Sequence, residues 1–248
     1  MKVIFLVCSF FLIQARAIVG TIDLVESDRA IMQSHTVAVL NSQNPSSHSR
    51  CTGTLIAKNV VLTAAHCIPD NWEKFWIVTS QYEFAVSERH QVTKVKVHEG
   101  YSHFDIPFAN QPNNDLALVQ FVGDLPAGYK PTTWMRSFYP RRDRFWLYVA
   151  GYGVSDETKA DSGVLRFSKV IIENALLNAQ QSFMKANQSS GQGICKGDSG
   201  GPAYIKLNGE FYTLGIVTAI VGGCLGTSYF NQSVFYNDWI EKELRSLL

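Results

Sequence analysis

Cys195-Lys196-Gly197-Asp198-Ser199-Gly200-Gly201-Pro202, or CKGDSGGP, sets one serine in a polar, glycine-rich loop. A serine hydroxyl is a weak nucleophile at neutral pH and needs a base within hydrogen-bond reach. The glycines around Ser199 suit a loop whose backbone comes close to a bound molecule, where side chains would intrude. Two motifs upstream supply complementary groups: LTAAHC around His66 and NNDLAL around Asp115. His66 can take the hydroxyl proton and return it to a leaving group. The Asp115 carboxylate can hold the imidazole in one tautomer and stabilise its cation. The backbone N–H groups of Gly197 and Ser199 can face a developing oxyanion. A lone His beside a Cys is more often structural, and an Asp before an apolar strand is more often part of a turn. The three motifs together carry the reading.

The rest of the chain sets the frame. Its 248 residues are enough for one large β domain or two small ones. Apolar content of 46% against 17% charged residues describes an ordered globular protein. A net charge of +1 argues against nucleic acid as a partner, since phosphate binding calls for a marked basic excess.

At the N-terminus Lys2, an apolar run from Val3 to Ile13, and Ala15-Arg16-Ala17 have the order of a secretory signal with an A-x-A cleavage site. The run is too short to span a bilayer. Residues 1–17 are therefore expected to be removed, leaving a secreted chain that is extracellular, or periplasmic in a bacterium. Cys8 leaves with them, and Cys51, Cys67, Cys195 and Cys224 remain, an even set suited to an oxidising compartment. Four cysteines allow three pairings, and counting does not choose among them. A zinc site is disfavoured because no close C-x-x-C pair is present.

Short segments of strand composition recur between turn signals: FWIVTS, TKVKVH, RFWLYVAG, VLRFSKVII and FYTLGIVTAI. Asn208-Gly209 between two such runs predicts a hairpin. Tyr236, Ile240, Leu244 and Leu247 predict one amphipathic C-terminal helix, and long helical periodicity is rare before it. GDLPAGYKPTT, near the middle, is the best linker candidate. The composition thus suggests an all-β protein in two halves, closed by a helix.

With His66, Asp115 and Ser199 in that order, the chain resembles the chymotrypsin-like (trypsin-fold) serine proteases, and differs in order from subtilisins and α/β-hydrolases. CTGTLIAKNVVLTAAHC, VAGYG and NDWIEKEL extend the resemblance over essentially all of residues 18–248. It implies two perpendicular six-stranded antiparallel β-barrels with the catalytic groups at their interface. The expected spans are about 30–122, about 135–232, and a C-terminal α-helix at about 234–247. It also implies the disulfides Cys51–Cys67 and Cys195–Cys224. The further bridge common in the second barrel has no counterpart, because VIIENALLNAQQSFMKAN contains no cysteine. The activity implied is peptide-bond hydrolysis through an acyl-enzyme. The partners implied are protein or peptide substrates and proteinaceous inhibitors, for a chain expected to act as a monomer.

In the resembling family a freed N-terminal Ile folds inward and its ammonium pairs with the Asp before the catalytic Ser. Here these are Ile18 and Asp198. Cleavage after Ala17 would expose Ile18 directly, so export itself is expected to create the activating end. Ile18-Val19-Gly20-Thr21 departs from the commoner Ile-Val-Gly-Gly.

The pocket base implied by the resemblance falls on Gly193 rather than an Asp, which argues against Lys or Arg preference. Ile194 forms one wall, and Thr218-Ala219-Ile220 replace the usual Ser-Trp-Gly on the other. Ile220 across the mouth predicts a shallow, elastase-like pocket taking small apolar residues. The alternative is a chymotrypsin-like preference for Leu or Phe should Ile220 swing outward. Lys196 is expected to be a solvated rim residue, and His98 and His103 surface or strand residues. YEFAVSE is not spaced convincingly for calcium, so neither a metal nor another cofactor is expected. Asn187-Gln188-Ser189 and Asn231-Gln232-Ser233 are glycosylation sequons only if the host is a eukaryote. Two other readings stand beside this one, an inactive homologue acting as a binding protein and an esterase that uses the same machinery on small esters. Inactive relatives usually lose a triad member or an oxyanion glycine, and this chain keeps them all.

Overall fold

The computed structural model describes residues 18, 20, 22–41, 49–70, 74–102, 114–138, 140, 142–173, 175 and 181–248. The expected signal at 1–17 and His103 lie outside them. Six strands close into a barrel in the order β1 (Thr36–Asn41), β2 (Ser49–Ala57), β3 (Val60–Thr63), β6 (Ala117–Phe121), β5 (Arg89–Val97) and β4 (Phe75–Val78). The second half is a curled six-stranded sheet. Its order is β8 (Arg166–Ile172), β7 (Phe145–Gly151), β10 (Pro202–Leu207), β11 (Glu210–Val221), β12 (Thr227–Gln232) and β9 (Phe183–Asn187). All these ladders are antiparallel. The β8 and β9 edges approach each other, but among the described residues their ladder does not close, so this half is a half-barrel.

The strand-like runs fall on β4, β5, β7, β8 and β11, as their composition predicts. Asn208 and Gly209 both have positive φ, 52° and 89°, and join β10 to β11 where Leu207 pairs with Glu210. That is the two-residue hairpin geometry that Asn-Gly favours. Each half has its own apolar core. Val37, Leu62, Phe75, Leu118 and Phe121 fill the first, and Leu147, Val149, Leu214, Val217 and Phe230 the second. A third cluster joins Ala38, Leu40 and Val78 of the barrel to Ala150, Phe167, Tyr204 and Phe211 of the half-barrel. The segment expected as a linker runs between the halves and is pinned by Lys130 N–H to Ser34 O (3.0 Å) and Thr132 N–H to Leu55 O (2.8 Å).

The expected C-terminal helix is α2 (Asn237–Leu247), and it packs Trp239, Ile240 and Leu247 on the core of the first barrel. Gln120 Nε2 donates to Leu247 O (2.6 Å), Trp239 Nε1 to Glu99 Oε2 (2.8 Å), and Lys96 pairs with Glu243 (3.3 Å). An earlier helix, α1 (Glu26–His35), is not foreshadowed by the sequence periodicity. Its apolar residues Ala30, Ile31 and Met32 are consecutive instead of spaced by three or four. Acidic Glu26 and Asp28 in its first turn suit the helix dipole. Its tertiary anchors are buried Met32 and the Asp28–Lys206 pair (2.6 Å), which ties it to β10 of the second half.

Candidate active site

His66 sits on a short 3₁₀ turn, Ala65–Cys67, directly after β3, and Asp115 lies two residues before β6. Because β3 and β6 are neighbours, with Thr63 opposite Ala117, the two motifs meet. His66 Nδ1 donates to Asp115 Oδ2 (2.7 Å), and the His66 backbone N–H donates to Asp115 Oδ1 (2.9 Å). The carboxylate therefore holds both the ring and the turn that carries it. Asp115 is 2% exposed, whereas the His66 side chain remains 34% exposed. Burial works against the Asp115 charge. The His66 hydrogen bond and charge, with the Thr218 hydroxyl, outweigh it and hold the carboxyl below its ordinary value.

Ser199 reaches this site from the other half, in the loop before β10. Its carbonyl accepts from Thr52 N–H (2.8 Å) and lies 3.7 Å from Cys67 Sγ, beside the His66 turn. Gly200 N–H donates to Val217 O (2.8 Å), anchoring the loop to β11. Gly200 has φ +76°, and a Cβ there would meet Thr52 O at 2.6 Å and Ala64 N at 2.7 Å. Gly197, with φ +100°, would meet Gly153 Cα at 2.8 Å. Glycine is thus demanded at both positions by conformation and by space. Among the described residues neither the Gly197 nor the Ser199 N–H meets a protein acceptor.

Asp198 is fully buried beneath this loop. Its Oδ1 accepts from Gly153 N–H and its Oδ2 from Cys195 N–H, both at 2.8 Å. Burial pushes its carboxyl up to about 7, against those two hydrogen bonds and the charge of Arg166. Ile18 is 1% exposed, and Gly20, two residues on, lies against Gly191 and Gln192.

Both disulfides join the cysteines that the resemblance paired: Cys51–Cys67 behind His66, and Cys195–Cys224 between the serine loop and the turn after β11. The two segments expected as pocket walls therefore stand next to each other. Gly193 and Ile194 are buried, Ala219 is half-buried, and Ile220 packs partly against the second core. Lys196 is exposed and meets Glu157 only loosely, at 3.8 Å. His98 is half-buried between Tyr236 and Trp239, with ring centroids at 5.6 and 5.0 Å. Sγ of Cys51, Sγ of Cys67 and a His66 nitrogen lie within 4.8 Å of one another, but the sulfurs are joined and offer no thiolate to a metal. Of the sequon asparagines, Asn187 is exposed, whereas Asn231 is 1% exposed and donates to Asp115 O (3.2 Å).

Thr218 has a place that counting along the sequence did not reveal. The β11–β12 pairing steps from Val217–Phe230 to Ala219–Tyr229, leaving Thr218 as the extra residue of a bulge. The bulge turns its hydroxyl across the interface, where it donates to Asp115 Oδ2 (2.5 Å). Tyr101 feels the same carboxylate: burial first, and then the Asp115 charge, push its phenol up to about 12. Thr218→Val should raise the Asp115 carboxyl towards its ordinary value, because one of the hydrogen bonds that lowers it is lost. NMR titration of the folded protein would check this, and an unmoved Asp115 carboxyl would mean that the Thr218 hydroxyl does not bear on it.

The family model described as Trypsin matches residues 24–240. The chain is also similar to "CLIP domain-containing serine protease B4" of Anopheles gambiae, at 23% identity over 228 residues and 78% of the present chain. It spans 62% of the length of that relative.

Proposed function

This chain belongs to the trypsin family of chymotrypsin-like serine proteases, and on that footing we propose that it is a secreted endopeptidase cleaving after small apolar residues. Ser199 Oγ attacks the scissile carbonyl while His66 Nε2 takes its proton. The oxyanion is met by the N–H groups of Gly197 and Ser199. His66 then protonates the leaving amine, whose C–N bond breaks to leave an acyl-enzyme. Water, deprotonated by His66, releases the acid and restores the serine. The observation that carries this reading is the buried Asp115 carboxylate with both its oxygens on His66, one on the ring and one on the turn beside the Ser199 loop.

Cleavage after Ala17 gives Ile18 a free ammonium, which pairs with Asp198 and orders the oxyanion loop. The buried carboxyl supports this pairing, because it stands ready for a cation in a site where an unpaired charge is costly. The apolar character of Ile194 and Ile220, with Gly193 in place of an acid, supports the preference for small uncharged residues. Export is supported by the two disulfides, and no helix among the described residues is long and apolar enough to cross a membrane.

A serine-directed phosphonate should label the wild type at Ser199, and His66→Ala should abolish the labelling. A peptide library should then show cuts after Ala or Val. Failure of the folded wild type to label would identify an inactive homologue, and cuts after Phe would refute the occluded pocket.

A further inference from the structure

Gln188 follows the last residue of β9 and has no exposed surface, 0%. A buried carboxamide is costly unless its two N–H donors and its oxygen are all satisfied. Here they are. Nε2 donates to Ile194 O and to Cys224 O, both at 3.0 Å, and Oε1 accepts from Ile194 N–H at 2.7 Å. The backbone joins in, with Gln188 N–H donating to Gly226 O (2.8 Å) and its carbonyl accepting from Gly191 N–H (2.9 Å). One side chain thus clamps the Ile194 wall to the turn after β11, alongside the Cys195–Cys224 disulfide. It also closes the space between them, because a Cβ on Gly193 would overlap the Gln188 carboxamide.

We propose that Gln188 is the floor of the primary pocket, a positioning residue that limits how deep a substrate side chain can enter. This rests on the protease reading above, in which Gly193 lies at the pocket base. The floor is a neutral amide whose hydrogen bonds are all made within the protein. It offers no donor, acceptor or charge to a polar or ionic substrate side chain, and it fills the volume that a long apolar one would need. Ile220 narrows the mouth while Gln188 sets the depth, so the two restrict size independently.

The test compares Gln188→Ala with Gln188→Met, which refills the volume without the hydrogen bonds. In active protein, Gln188→Ala should raise the kcat/KM ratio of Leu over Ala substrates tenfold or more, mostly through KM. Gln188→Met should keep the preference for small residues while its melting temperature falls. A purely structural role would affect both variants alike and leave the size ranking unmoved. Should Gln188→Ala fail to fold, Gln188→Asn, one methylene shorter and still an amide, is read in the same way. A second arm needs no activity. In a Ser199→Ala background, indole binding followed by NMR should appear on opening the floor and be absent from the parent. A folded, shortened variant that neither binds indole nor changes its size ranking overturns the proposal. A parent that cleaves nothing counts against the protease reading, and the indole arm then decides the role of Gln188.

Discussion

Asp115→Asn should lower kcat by about four orders of magnitude, the loss that a wrong imidazole tautomer causes in the general Ser-His-Asp template. Asp115 offers only acceptors to three donors: the His66 ring, the His66 main chain and the Thr218 hydroxyl. An amide in its place turns one oxygen into a donor. If that NH₂ faces the ring, Nδ1 must accept instead of donate, and Nε2 then holds the ring proton and cannot take the one that Ser199 must give up. If it faces the main chain, it meets the His66 N–H head-on. Either arrangement spoils the base while leaving the pocket intact, so KM should change little. Single-turnover acylation by an activated ester would check this, and a loss smaller than about a hundredfold would mean that Asp115 serves only to hold the turn.

The second large effect is on stability and depends on whether the N-terminus lies at Ile18. A folded Asp198 carboxyl that titrates near 7 holds its proton more tightly than the unfolded one, which titrates near 4. Without the Ile18 ammonium, this contribution is fully present below about pH 4 and is lost as the pH rises through 7, an upper bound of roughly 4 kcal/mol. A free ammonium on Ile18 reverses the balance by making the ionised carboxylate the favoured form. Ser199→Ala protein beginning at Ile18 and the same protein beginning at Ala17 should therefore part company as the pH rises from 4 to 7.5. The longer form should fall by ~10 °C relative to the shorter, as expected for a domain of this size. Parallel melting curves would show that the ammonium does not reach Asp198.

What could be read from the sequence was what is written locally. Ser199 among its glycines, His66 beside Cys67, and the Asn208-Gly209 turn each carry their signal within a few residues. The strands could be read because burial on a pleated sheet selects apolar and β-branched side chains over short runs. The features that escaped depend on distant partners. Thr218 looks like any pocket-wall residue until a bulge turns it towards a carboxylate more than a hundred positions away. Gln188 is the middle residue of the Asn187-Gln188-Ser189 sequence and carries no local mark of burial, yet three backbone groups from two segments hold it in the interior. Helix α1 lacks an apolar stripe at helical spacing and depends on Lys206 from the other end of the chain. Among the described residues β8 and β9 do not pair, and whether a sheet closes depends on how its strands curl, which no local pattern encodes.

The two helices lace the molecule crosswise. The one that enters before the first barrel is tied to the second half through Lys206, and the one that leaves the second half is tied to the first through Gln120, Lys96 and Glu99. Neither half can be peeled away without undoing the end that belongs to the other. His66 and Asp115 on one side of the seam, and Ser199 on the other, are thereby kept in register by bonds made far from the substrate. Loosening either end should blunt the chemistry before it melts the strands.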